Sequence, residues 1–294
     1  MDLRQVRYVL AVVDAGGFTK AAATIPMSQP ALSQAVRSLE RSLGAELFHR
    51  LGREVRLTAA GRAFVGPARA MLREAANARS AVADVAGLGA GRLDVVALPT
   101  LVVEPLVHLV GTFRRLHPGV AVHITEPEDA ADVVELVRTG ACELGLGEGP
   151  ISHPALDVDL LVEQELLAVM PPGTPVPGRR RLTIARLAAL PLLATPPGTS
   201  TRRLVDEALR EAGLEPVVAV ESGHREAIVP LVLAGAGASL LPEPLARRAA
   251  EQGAVIARLE PPVRRQVVLV RRRAGLSSAA AAFRALALEV DPER

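Results

Sequence analysis

Tryptophan is absent from this 294-residue chain and tyrosine occurs once. A core so poor in rings has to be built from aliphatic side chains, and 49% of the residues are hydrophobic, an ordinary globular share. One cysteine, Cys142, excludes an intrachain disulfide framework. No apolar run reaches the roughly 18 residues that a membrane-spanning helix needs. The opening MDLRQVRYVLAVVDAGG is broken by charge and has no small-residue cleavage site, so no signal peptide is expected. A cytoplasmic protein without membrane attachment is the default expectation. Catalytic signatures are missing too: there is no Gly-x-Ser-x-Gly elbow, His-Glu-x-x-His, phosphate loop or Cys-x-x-Cys. The six histidines show no tight ligand spacing. No catalytic residue, metal or cofactor is therefore expected. Lysine is nearly missing as well, since Lys20 stands alone among 34 cationic residues, a bias that fits a GC-rich genome.

What is present divides the chain in two. Residues 1–88 carry 12 Lys and Arg against 7 Asp and Glu, whereas the remainder carries 22 against 25. A basic head on an acidic body fits a head that meets a polyanion. In that head, Leu3, Val6, Leu10 and Val13 recur at helical spacing and Gly16-Gly17 stops the helix. A short helix fits Thr19 to Thr24, with Thr19 as its cap. A third starts at Ser28, tolerates Pro30 in its first turn, buries Leu32, Val36, Leu39 and Leu43, and ends at Gly44. Its opposite face presents Gln29, Pro30, Ser33, Gln34 and Arg37. Amides, a hydroxyl and a guanidinium are what a major-groove reader needs, although a solvated helix face has the same pattern. The segment LFHRLGREVRLT then reads as a β-hairpin around Gly52, with Arg50, Arg53 and Arg56 placed to touch phosphates.

The run from Phe18 to Gly61 resembles the DNA-binding segment of the LysR-type transcriptional regulators. The likeness is carried by Phe18, Lys20-Ala21-Ala22, Ser28-Gln29-Pro30-Ala31-Leu32-Ser33, Leu39-Glu40, Leu43-Gly44, Leu47-Phe48, Arg50, Leu57-Thr58 and Gly61. It implies a winged helix-turn-helix over 1–58 that binds double-stranded DNA at an interrupted palindrome. The DNA-contacting residues it implies are Lys20, Ser28, Gln29, Pro30, Ser33, Gln34, Arg37 and Arg53. Many relatives carry arginine where this chain has Gln34.

Beyond the wing, Phe64, Ala68, Met71, Ala75, Ala78, Val82 and Val85 follow a heptad pattern, which predicts a linker helix over 59–88 that pairs two chains. Pro67 predicts a kink, or a helix that starts at Gly66. Gly87, Gly89 and Gly91 predict a hinge. From 92 onward strand and helix patterns alternate, which gives an α/β region with parallel sheets. Ligands of such sheets sit beyond strand ends at helix starts. Three starts carry suitable groups: Pro99-Thr100, Gly198-Thr199-Ser200-Thr201 and Ser222-Gly223-His224-Arg225. Each is also an ordinary capping sequence, but together they would suit a small anion, and His224 changes charge near neutral pH.

Phe113, His117-Pro118, Gly140, Gly145 and the run Leu233–Pro242 extend the resemblance to the family's effector domain. It implies a fold of two α/β subdomains like a periplasmic binding protein, here 89–294, with subdomain I about 92–163 and 266–294 and subdomain II about 164–265. The implied effector-binding residues are Thr100, Leu101, Gly147, Thr199, Ser200, His224 and Ile228. The partners implied are DNA, a small-molecule effector, further copies of the chain as dimer or tetramer, and RNA polymerase. A thiol redox sensor using Cys142 is the alternative, although a lone cysteine beside a strand is more often a small core residue.

Overall fold

Asp2 starts the first helix with a reciprocal cap. Its side chain accepts the Gln5 amide at 2.8 Å while Gln5 Oε1 accepts the Asp2 amide at 3.0 Å. The computed structural model describes residues 1–51, 54–85, 91–176, 180–273 and 275–289. In the head, α1 (Leu3–Asp14), α2 (Phe18–Thr24) and α3 (Gln29–Leu43) are followed by a hairpin, β1 (Phe48–Leu51) and β2 (Glu54–Leu57). Gly17, not Thr19, caps α2, and it does so without a side-chain bond. Thr19 lies inside the first turn, because the Gly17 carbonyl already accepts the first helical bond, from the Ala21 amide at 3.0 Å. Ser28 caps α3 and Gly44 ends it at φ 69°, in the left-handed region that favours glycine.

Helix α4 (Ala59–Val85) runs unbroken from the head. It starts well before Gly66 and carries Pro67 in its body, giving up only the bond to the Ala63 carbonyl. The first part of the expected dimer seam has an internal partner. Phe64, Met71 and the fully buried Ala68 pack against Val6 and Leu10 of α1. The side chains of Val82 and Val85, and residues 86–90 of the expected hinge, lie outside the described ones.

The second region contains β3 (Gly91–Ala97), α5 (Pro99–Leu101), a π-helical turn over 102–106, α6 (Val107–Leu116), β4 (Val120–Thr125), α7 (Ala130–Arg138), β5 (Leu144–Gly149) and β6 (Leu156–Met170). There follow β7 (Arg181–Thr183), α8 (Ile184–Ala188), β8 (Leu192–Ala194), α9 (Ser200–Glu211), β9 (Val218–Glu221), a 3-10 turn over 225–227, α10 (Ile228–Leu233), β10 (Ser239–Pro242), α11 (Glu243–Glu251), β11 (Val255–Arg272) and α12 (Ser278–Glu289). One sheet runs in the order β10-β6-β11-β5-β3-β4, with β7 also on β11, and β8-β9 form a separate pair.

The all-parallel expectation needs correction. Strands β3, β4 and β5 are parallel, but β11 is antiparallel to both β5 and β6. Strands β6 and β11 each pass through both subdomains, so the halves share a sheet. Their inner ends contribute to different cores. One joins Leu93, Phe113, Val133 and Phe283, and another joins Leu166, Leu182, Leu209 and Leu240. A third, around Val169, Val232 and Ala249, backs the far side of the second half.

Candidate functional site

The head's exposed face is organised by buried contacts beneath it. Glu40 Oε1 accepts the Leu47 and Phe48 amides at 2.8 and 3.3 Å, tying the end of α3 to the first wing strand. The Phe18 and Phe48 rings meet edge to face at 5.5 Å. Thr58 Oγ1 accepts the Gly61 amide at 2.9 Å and donates to Glu46 O at 2.7 Å. A Cβ on Gly61 would stand 2.1 Å from the Leu47 carbonyl oxygen, so glycine is required there. On this base Gln29, Pro30, Gln34 and Arg37 stand exposed along one side of α3, with Ser28 at its start and Lys20 exposed on α2. Ser33 is buried, at 6% exposure, although it lines the same concave face as Gln29, Pro30, Gln34 and Arg37, a face that Ser28 and Lys20 do not line. Arg53 lies outside the described residues.

The second candidate site is a cavity of about 520 Å³ between the halves of the second region. Pro99, Thr100, Val102 and Val103 line it from one half. Leu193, Thr195, Thr201, Arg225, Ile228 and Leu240 are among those lining it from the other. Thr100 is held from below. Buried Arg265 donates through Nη1 to Thr100 Oγ1 at 2.8 Å and through Nε and Nη2 to Gln164 Oε1 at 3.0 and 2.7 Å. Burial pulls the Arg265 pKa down to about 10, opposed by the charge of Glu148. The Glu148 carboxyl is itself held above the ordinary range by burial, against the pull of Arg203 and Arg265.

Among the described residues, three ion pairs cross between the halves. Arg203 Nη2 meets Glu148 at 2.8 Å, Arg225 Nη1 meets Glu128 at 2.5 Å, and Arg248 Nη2 meets Glu104 at 3.5 Å. In each the carboxylate belongs to the first half and the arginine to the second.

Comparison with known proteins fits both sites into one family. Residues 3–62 match the model described as bacterial regulatory helix-turn-helix protein, lysR family, and residues 86–292 match the LysR substrate binding domain. The chain belongs to the LysR family. It is 31% identical over 246 residues to the HTH-type transcriptional regulator YnfL of Escherichia coli (strain K12), covering 82% of each. It is 29% identical to the RuBisCO operon transcriptional regulator of Allochromatium vinosum, covering 98% of this chain and 96% of that one. Among solved structures, a full-length OxyR variant from Pseudomonas aeruginosa superposes with a TM-score of 0.73 at 25% identity, covering 98% and 93%. Full-length CbnR complexed with the target DNA gives 0.66 at 25% identity, covering 98% and 99%. The fold is thus a winged helix-turn-helix head, a linker helix and an effector-binding domain of the LysR type, in a family of DNA-binding transcriptional regulators, not enzymes. Among the described residues, no helix is long and apolar enough to cross a membrane.

Within this LysR-type domain the effector residues expected from sequence divide. Thr100, His224 and Ile228 line the cavity. Leu101 does not: it is fully buried in the core beneath, because α5 is a single turn and its third residue points inward. Gly147 sits inside β5 opposite Val268, and a Cβ there would meet Ile151 and Val133, not the cavity. Thr199 and Ser200 are buried in the start of α9. Thr199 Oγ1 shares a 2.6 Å bond with Thr195, donates to Pro196 O and caps the Arg202 amide. It is the next residue, Thr201, that reaches the lining. Only α9 of the three expected helix starts is a full helix, since the other two are a three-residue turn and a 3-10 turn. Cys142 is buried in the first core.

Proposed function

We propose that this LysR-type regulator binds an interrupted palindromic operator as a dimer or tetramer, and that a small anionic metabolite in the cavity between the two halves controls it. The observation that supports an effector there is the composition of the lining. Thr100 comes from one half and His224 and Ile228 from the other, so a bound molecule touches both and biases their relative angle. Support for the DNA face comes from Gln29, Gln34 and Arg37, which stand exposed and side by side on α3. A two-fold arrangement of chains implies two half-sites. The burial of Cys142 speaks against the thiol-sensor alternative.

The test is a thermal-shift screen of the full chain against small organic acids and their neutral analogues, followed by selection of bound sequences from random DNA. A specific ligand raises the melting temperature by mass action. Val103→Trp, which fills the cavity from a half-buried position, is expected to abolish the shift. A ligand that still protects this variant refutes the cavity as the effector site. Selected DNA without two-fold symmetry refutes the palindrome.

A further inference from the structure

The cavity contains polar groups that the protein itself leaves unused. Arg225 commits Nη1 to Glu128, while its Nε and Nη2 are buried and meet no acceptor among the described residues. Thr201 Oγ1 is buried in the same condition, on a residue only 8% exposed. Both residues line the cavity. Buried donors without acceptors carry a desolvation penalty, and native proteins keep few of them. The free edge of Arg225, Nε with Nη2, is the fork that takes both oxygens of a carboxylate.

The remaining lining limits what else the ligand contains. Val102, Val103, Leu193, Val205, Leu240 and Leu245 offer hydrocarbon only. The other arginine of the lining, Arg202, is already engaged, at 2.8 Å from Asp206 and 3.4 Å from Glu221. Two further carboxylates, Glu126 and Glu226, lie exposed at the margin and disfavour a second negative charge.

We propose that the Nε–Nη2 edge of Arg225, with Thr201 Oγ1, seats one carboxylate of the effector, and that the effector class is a monocarboxylic acid with a hydrocarbon body. This assignment rests on the reading of the cavity as the effector site. Arg225 and Thr201 are then the specificity-determining residues, and Glu128 is an internal carboxylate already on the opposite edge of the same guanidinium. A ligand carboxylate joins Glu128 on Arg225, so the ion pair that spans the two halves becomes part of the ligand's own site.

Titration calorimetry of the full chain with sodium octanoate, octan-1-ol and the dianion suberate separates the possibilities. Octanoate is expected to bind, with the alcohol and the dianion each at least about tenfold weaker. Arg225→Gln is expected to weaken octanoate by about ten- to a hundredfold, the range for losing hydrogen bonds to a charged group. Thr201→Val, nearly isosteric, is expected to weaken it by a smaller factor. The proposal is overturned if octanoate does not bind in the millimolar range, if the alcohol binds as well, or if neither substitution moves the affinity. Should Arg225→Gln not fold, Thr201→Val and the octanoate-to-octanol ratio on the unaltered chain decide. If Val103→Trp abolishes octanoate binding while Arg225→Gln leaves it intact, the cavity stands and this assignment alone falls. If octanoate binds Val103→Trp undiminished, the cavity reading falls with it.

Discussion

Gln29, Gln34 and Arg37 lie within nine residues on one face of α3, exposed, over a base of buried carboxylate and backbone contacts. In the cleft, Thr100 is supported by Arg265, 165 residues away in sequence, and faces Thr201 and Arg225 across the cavity. The head displays short-range chemistry on a rigid local frame. The cleft assembles long-range chemistry and buries much of it. A surface that must meet DNA gains from exposed donors, whereas a surface that must enclose a small molecule gains from removing water around its charges.

The strongest challenge to that contrast is to break each frame separately. Gly61→Ala puts a Cβ against the Leu47 carbonyl oxygen, and Gly237→Ala puts one 2.3 Å from the Pro191 carbonyl oxygen at a φ of 153°. Each is expected to cost about 3 kcal/mol, the upper end of ordinary overpacking. Hydrogen exchange should place the first loss in the head and the second in the effector domain. Equal loss of protection in both regions from either substitution would mean that the two frames are coupled.

Within the head, Gln29→Ala and Arg37→Ala should each weaken operator binding by about 1–3 kcal/mol and leave random DNA much less affected. Arg53→Ala should weaken both alike, as a phosphate contact does. Binding isotherms on operator and random duplexes check this. Equal loss on both duplexes from all three would remove the distinction between readers and anchors.

The smallest effect is expected in the cleft, at Glu148. Burial raises its carboxyl above the ordinary 4.5, so folding favours the protonated form. The associated stability is fully present below that unfolded value and is lost as pH rises through the higher folded value. Glu148→Gln carries no charge at any pH and lacks this loss. Its melting temperature relative to the parent should therefore climb as pH is raised from acid toward neutral. A constant difference across that range would show that Arg203 and Arg265 offset the burial completely.

Legibility in sequence followed the same division. The Ser28 cap, the Gly44 terminator and the buried stripe of Leu32, Val36 and Leu39 could be read from neighbours three or four residues apart, but Leu43, expected in the same stripe, is 39% exposed where α3 ends. Where Ser33 faces could not be read in that way, because a side chain that short is covered by the residues around it. The heptad from Phe64 onward was visible, but nothing in the pattern distinguishes a second chain from α1 of the same chain, which packs on Phe64, Ala68 and Met71. In the effector domain, β11 runs on through Pro261-Pro262 and absorbs the pair at a register shift between Arg258 and Val263, which no local pattern announces. Helix α11 has no capping side chain to mark its start, since Glu243–Glu251 follows Pro242 directly. Position relative to a strand end found Thr100 but not the inward turn of Leu101. Arg265 and Gln164 gave no local signal at all, because their partners lie on other strands.

The continuity of β6 and β11 has a mechanical consequence. Two lobes joined by loops would open like a jaw, on a free pivot. Here the two connecting ribbons are laddered to each other from Met170 and Val255 at one end to Leu156 and Arg272 at the other. Opening a jaw would tear that ladder, whereas torsion along its length leaves the rungs intact. The longer of its two register slips, at 258–263, lies opposite Leu166 and Leu167, where one lobe gives way to the next. The domain is built as a leaf spring, in which rotation of one lobe against the other is taken up as twist along the β6–β11 ladder.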